Sequence, residues 1–218
     1  MSGPGFRRTL PAGGVLWWEG DPAASLALVD RGSLGVRASG RWIDAALPGT
    51  VLGEAALLTT TDGAAGRRTA DVVALGPDTV AVEHPIDGLH EPAGESVRAA
   101  VLRTLFYQAA RNVLLVRAAR PGDALIGAAT QGLIEAAGRA YPHVGAVPAG
   151  DDFLAAFRFA YRWRESSDAM RRELAPAATW TPERARAALD EIRSTGLISI
   201  ASEIEGFVAL WASLPRSD

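Results

Sequence analysis

The chain has 218 residues, 48% hydrophobic and 22% charged, enough for one large domain or two small ones and too apolar for a disordered polypeptide. It contains no cysteine and no lysine, and its histidines are only His84, His90 and His143, no two closer than six positions. Disulfides, cysteine-ligated metal, thiol chemistry, Schiff bases and lysine-dependent phosphate loops are therefore excluded, and a histidine metal centre is not expected. The formal net charge of −3 gives no global attraction to nucleic acid, and residues 151–218, with 9 arginines against 11 acids, are no more basic than the rest. Contact with DNA would have to be local, through clustered arginines. No apolar run approaches the roughly 20 residues of a membrane-spanning helix, and residues 1–14 lack the apolar stretch of a secretory signal, so a cytoplasmic protein is expected.

Up to about Glu83 the chain is a series of short strands. Val15–Trp18, Leu26–Asp30, Gly35–Arg37, Trp42–Ala46, Ala70–Ala74 and Thr79–Glu83 are predicted as strands, separated by turns at Gly20-Asp21-Pro22, Arg31-Gly32-Ser33, Ser39-Gly40, Pro48-Gly49 and Gly76-Pro77-Asp78. Such spacing predicts a β-sandwich or barrel. Trp17 and Trp18 are expected to pack inside it.

From Glu95 the pattern becomes helical. Val97, Val101, Leu105, Ala109 and Val113 recur at intervals of four, widened by Leu102, Phe106 and Val116, which predicts a helix over 95–119. Further helices are predicted over 123–141, 152–164 and 167–174. The last one starts at Thr181-Pro182, where Thr caps, Pro fits the first turn and Glu183 complements the helix dipole, and runs to Thr195. Leu197–Ser199 and Gly206–Trp211 then read as two short strands. Arg158, Arg162 and Arg164 interleave with Phe157, Phe159, Tyr161 and Trp163, aromatics expected mainly in a core.

The most informative stretch is 51–74, VLGEAALLTTTDGAAGRRTADVVA. Small residues at Ala55 and Ala56 after Gly53-Glu54 permit close approach of backbone N–H groups to an anion. An arginine fork pairs with phosphate, and a carboxylate accepts hydrogen bonds from sugar hydroxyls. Motifs of hydrolases, metalloproteases and nucleotide-phosphate loops are missing, and no enzyme is expected.

This segment resembles the phosphate-binding cassette of cyclic-nucleotide-binding domains. Leu10-Pro11-Ala12-Gly13-Gly14-Val15, Glu19-Gly20-Asp21-Pro22, Leu28-Val29-Asp30-Arg31-Gly32 and Leu47-Pro48-Gly49 follow the spacing of the same β-roll, so that the resemblance covers residues 10–83. It implies that Glu54 accepts the ribose 2′-hydroxyl, that Arg68 pairs with the cyclic phosphate, that Thr69 adds donors, and that Gly53, Ala55 and Ala56 make backbone contacts. The 59–66 loop is longer than the compact family form, and either Arg67 or Arg68 is positioned to face the ligand. Where the family reads adenine with polar residues on the long helix, Leu114, Leu115 and Val116 stand here, the nearest polar groups being Tyr107, Gln108 and Asn112. That suggests another nucleotide, another ligand, or activity without one.

A β-roll followed by a long striped helix resembles the Crp/Fnr transcription regulators. The resemblance implies an α+β protein: a β-roll (jelly-roll) sensor over 1–94, a dimerisation helix over 95–120 with Val97, Leu105, Val113 and Val116 on the seam, and a helical domain over 121–218 ending in a winged helix-turn-helix. Thr181, Glu183, Arg184, Arg186 and Ala187 would meet DNA. The implied protein is a homodimer with a cyclic nucleotide, cyclic AMP or cyclic GMP, as effector and no required cofactor. The alternatives are a nucleotide-binding module whose helical half contacts a protein partner, and a degenerate roll serving as scaffold.

Overall fold

The computed structural model describes residues 5–59, 66–120, 122–124, 128, 132, 147, 150–174, 190, 206, 209 and 210. The chain divides into two compact units: Met1–Val101 with Pro148–Gly150 and Ser213–Asp218, and Leu102–Val147 with Asp151–Ala212.

Among the described residues the first unit is a β-roll of eight strands: β1 Phe6–Leu10, β2 Val15–Trp17, β3 Ser25–Arg31, β4 Leu34–Ala38, β5 Arg41–Ala46, β6 Val51–Leu52, β7 Asp71–Ala74 and β8 Thr79–Pro85. One antiparallel sheet has the order β1-β8-β3-β6 and the other β2-β7-β4-β5. Successive side chains of a strand point to opposite faces, and the inward positions fill a common core. Ala27 and Val29, Leu34 and Val36, and Val72 and Ala74 meet there with Leu10, Leu16, Trp17, Ala46, Leu52 and Ala81.

All six predicted strands form, and two more join them. β1 carries no strand pattern of its own, since only Leu10 of its five residues is buried, and its pairing with β8 (Arg8 opposite Ala81) makes it a strand. β6 is two residues long and carries no periodicity of its own. Trp17 packs in the core as expected, whereas Trp18, just past the end of β2, is 54% exposed.

After β8 two 3-10 turns, Ile86–His90 and Pro92–Gly94, lead into α2, Glu95–Ala119, which follows a one-turn helix α1, Ala56–Thr59, in the numbering. Arg98, buried in the first turns of α2, donates through Nη1 to the carbonyls of Leu89 and Glu91 and so ties the helix to the turn before it.

In the second unit α2 lies against α3, Asp151–Leu174. Ala109 and Val113 pack with Trp163 and Met170, and Val116 with Met170 and Leu174. Asn112 Nδ2 donates to Ser167 Oγ at 3.3 Å. Contact positions rise together along both helices, so the two run parallel. Asp151 and Asp152 in the first turn of α3 and Arg171 and Arg172 in its last complement the helix dipole.

Three expectations need correction. The helices expected over 152–164 and 167–174 are one: Ser167 does not break the chain, because its hydroxyl bonds the Arg164 carbonyl at 2.7 Å and the helical turn continues past it. The dimer seam expected on α2 is covered within one chain. Val97, Leu105, Val113 and Val116 are all buried, the last two with α3 contacts. Gly206, Ala209 and Leu210 are helical where a strand was expected; a short apolar run has no period that separates a strand from a buried helix. Ala124, Ala128, Gly132 and Asp190 are helical where helices were expected. The remaining residues of the expected winged helix-turn-helix, including Thr181, Glu183, Arg184, Arg186 and Ala187, lie outside the described residues.

Candidate functional site

The site is built in the first unit from two pieces of chain. The first begins where β6 ends. Gly53 has φ +84°, in the left-handed region that glycine enters without steric cost, and the chain turns sharply there. The following amides close a helical turn: Ala56 N–H donates to Gly53 O at 3.1 Å and Leu57 N–H to Glu54 O at 3.0 Å. Glu54 and Ala56 are buried, 6% exposed each.

The second piece is the return of the chain at Gly66–Thr69. It is pinned to the Gly20–Ala23 turn by three backbone hydrogen bonds, two of which form the antiparallel bridge between Pro22 and Arg67. Ala23 N–H donates to Gly66 O (2.7 Å), Arg68 N–H to Asp21 O (2.8 Å) and Gly20 N–H to Arg68 O (2.8 Å). This extended pairing makes consecutive side chains alternate. Arg67 points out and donates through Nη1 to Gly20 O at 2.7 Å. Arg68 points in and is 7% exposed, and Thr69 points out again. Of the two arginines, Arg68 is the interior one.

Inside the roll, the Arg68 guanidinium lies over the Trp17 ring, its Cζ 3.4 Å from the ring centroid. Nη2 donates to Ser25 O at 2.9 Å and Ser25 Oγ at 3.1 Å. Nη1 sits against the turn at Gly53, where a Cβ would come within 2.5 Å of it. Burial holds the Arg68 pKa down to about 10, against the opposing attraction of Glu83, Asp21 and Glu54. The guanidinium remains fully charged at neutral pH. Among the described residues, Arg68 Nε and Nη1 are buried without a hydrogen-bond partner.

Glu83, on β8, organises the surroundings. Its Oε2 accepts from Trp17 Nε1 and from Ser25 Oγ, both at 3.0 Å, and its Oε1 pairs with Arg8 at 3.2 Å. Trp17, Ser25 and Glu83 were not singled out as site residues from sequence. No motif marks them: they come from three strands and meet only when the sheets pair.

A buried cationic group with idle N–H donors is costly unless something binds to it, and an anion is the chemical complement. The structure thus brings together Gly53, Glu54, Ala56 and Arg68. It leaves Arg67 and Thr69 on the outside. Tyr107, Gln108 and Asn112 are buried in the second unit, where the Asn112 amide is bonded to Ser167. Among the described residues no cluster of His, Asp and Glu could hold a metal ion, and no helix is long and apolar enough to cross a membrane.

Residues 7–91 match the family model of the cyclic nucleotide-binding domain. The first unit therefore carries such a domain. The match covers less than half of the chain and speaks for that part alone. None of the curated proteins matches the chain. Solved structures similar to it include a cyclic nucleotide-binding-like protein from Brucella abortus (26% identity over 38% of this chain and 70% of that one, TM-score 0.33). Others are the N-terminal domain of a transcriptional regulator from Streptomyces coelicolor (20%, covering 76% and 78%, TM-score 0.36) and the c-di-GMP responsive global regulator CLP from Xanthomonas campestris (22%, covering 41% and 44%, TM-score 0.34).

Proposed function

We propose that the protein is a ligand-responsive, DNA-binding transcriptional regulator of the Crp/Fnr type, acting in the cytoplasm without a required cofactor. The β-roll, residues 1–94, takes a cyclic nucleotide or a similar small anion. The single observation that carries the sensor half is the interior Arg68, with Nε and Nη1 idle and Nη1 beside the Gly53 turn, where the buried Glu54 follows in sequence. In this reading Arg68 binds the phosphate and Glu54 accepts a ribose hydroxyl. Backbone N–H groups at Gly53 and Ala55 add donors, Arg67 steadies the loop through Gly20, and Thr69, on the outside, takes no part.

The helix over 95–120 relays the state of the roll to residues 121–218. There Thr181, Glu183, Arg184, Arg186 and Ala187 form the local DNA face that a chain of net charge −3 requires. A homodimer, which two half-sites would need, must use a surface other than Val97, Leu105, Val113 and Val116. Calorimetry with cyclic AMP and cyclic GMP tests the sensor. Gel shifts on genomic fragments at two salt concentrations, with and without nucleotide, test the DNA arm, since phosphate contacts make affinity fall steeply with salt. No retained fragment under any condition removes that arm.

A second reading, in which the helical half docks on a protein partner, is favoured by one observation. Phe159 on α3 is 57% exposed and pairs with Trp163 at 6.0 Å between exposed Arg158 and Arg162. Pull-down of a partner lost on Phe159→Glu, with gel shifts negative throughout, would select it.

A further inference from the structure

The Arg68 guanidinium is already engaged by the protein. A guanidinium grips an oxyanion with two parallel N–H groups along one of two edges, Nε with Nη2 or Nη1 with Nη2. Nη2 belongs to both. Here it is turned to the carbonyl and hydroxyl of Ser25, and the idle groups, Nε and Nη1, lie on different edges. As arranged, Arg68 offers an anion single bonds only.

The Ser25 hydroxyl is itself held, because it donates to Glu83 Oε2. The same oxygen takes the Trp17 N–H, whose ring lies against Arg68, and Arg8 closes on the other carboxylate oxygen. The arrangement draws on β1, β2, β3 and β8, so it is set by the roll as a whole. Of the three carboxylates that attract Arg68, Glu83 attracts it most strongly.

We propose that Ser25 and Glu83 form a latch on Arg68 that sets the affinity of the site for its anionic ligand, because the ligand gains a two-bonded grip only when Nη2 leaves Ser25. The proposal rests on the reading of Arg68 as the anion donor. Ser25 competes with the ligand for the N–H groups, and Glu83 competes with its charge. Both residues are therefore determinants of affinity that act against the ligand, unlike groups that orient Arg68 toward it.

The test uses the full chain as wild type, Ser25→Ala and Glu83→Gln. Without ligand, the Arg68 Nε–H and Trp17 Nε1–H resonances and their solvent exchange are followed by NMR. With ligand, cyclic AMP, cyclic GMP and inorganic phosphate are titrated by calorimetry. The latch predicts shifted resonances and faster Arg68 exchange in both variants, and binding tightened on the order of 3- to 10-fold in each, the worth of one neutral hydrogen bond. Weaker or unchanged affinity with moved resonances overturns it, since the two residues would then position Arg68. Unmoved resonances overturn it whatever binds. If neither nucleotide binds any form but phosphate binding tightens in both variants, the latch stands and the cyclic-nucleotide reading falls. If phosphate binding does not tighten either, both fall.

Discussion

The guanidinium of Arg68 lies over the indole ring of Trp17 inside the β-roll, its Cζ 3.4 Å from the ring centroid. Trp17 is at once a core residue and a wall of the site. Its ring packs among Leu10, Leu16, Val29 and Leu52, while its N–H is bonded to Glu83. Trp17→Ala is expected to destabilise the protein by about 3–5 kcal/mol. Trp17→Phe keeps an aromatic face and loses the bond to Glu83, at about 1 kcal/mol plus the smaller ring. Denaturant unfolding measures both, and equal losses would show that the aromatic face kept by Phe contributes nothing.

Gly53 is the position where a methyl group is least tolerable. Its φ of +84° is strained for any other residue, and the added carbon would stand 2.5 Å from Arg68 Nη1 and 3.2 Å from the Trp17 ring. Gly53→Ala is expected to cost about 1–3 kcal/mol of stability. It should also displace Arg68 and abolish whatever anion binding the wild type shows. A variant with wild-type melting and binding would mean that the turn is not held as described.

Arg98 ties the start of α2 to the preceding 3-10 turn through the carbonyls of Leu89 and Glu91. Arg98→Met keeps much of the packing and leaves those acceptors without their donor. A loss of about 1–3 kcal/mol is expected, with faster amide exchange over residues 86–98. Unchanged exchange there would count against the tie.

Asp71 accepts the Glu19 backbone N–H at 2.8 Å and the Arg37 guanidinium at 2.9 Å. The backbone bond first and Arg37 second hold its pKa below the ordinary carboxylate value. A carboxyl whose folded pKa lies below its unfolded one, about 3.9, adds stability that is fully present above that pH and disappears as pH falls through the folded value. Asp71→Asn should thus be less stable than wild type at neutral pH, with the gap closing on acidification below about pH 4. Melting curves across that range check it, and a gap independent of pH would contradict it.

The strands of the roll were legible because turn residues punctuate them and alternation marks their faces. β1 was not, since Arg7 and Arg8 break its apolar pattern and only pairing with β8 makes it a strand. α2 was legible over its full length, 95–119. Its partner was not: the stripe of Val113 and Val116 reads equally well as a seam with a second chain or with α3, and α3 occupies it. In the site, Gly53, Glu54 and Arg68 stood out through spacing, while Trp17, Ser25 and Glu83 had no signal.

By itself the sequence determined what is local: where the chain turns, which faces are apolar, and that a Gly-Glu pair precedes an Arg-Arg pair across one loop. Local chemistry suffices for these, since glycine, proline and periodicity act within a few residues. Only the tertiary structure decided that Arg68 and not Arg67 faces inward, because the antiparallel bridge between Pro22 and Arg67 sets the alternation. It also decided that Ser25 and Glu83 reach that arginine, because residues 58 positions apart become neighbours only when β3 pairs with β8.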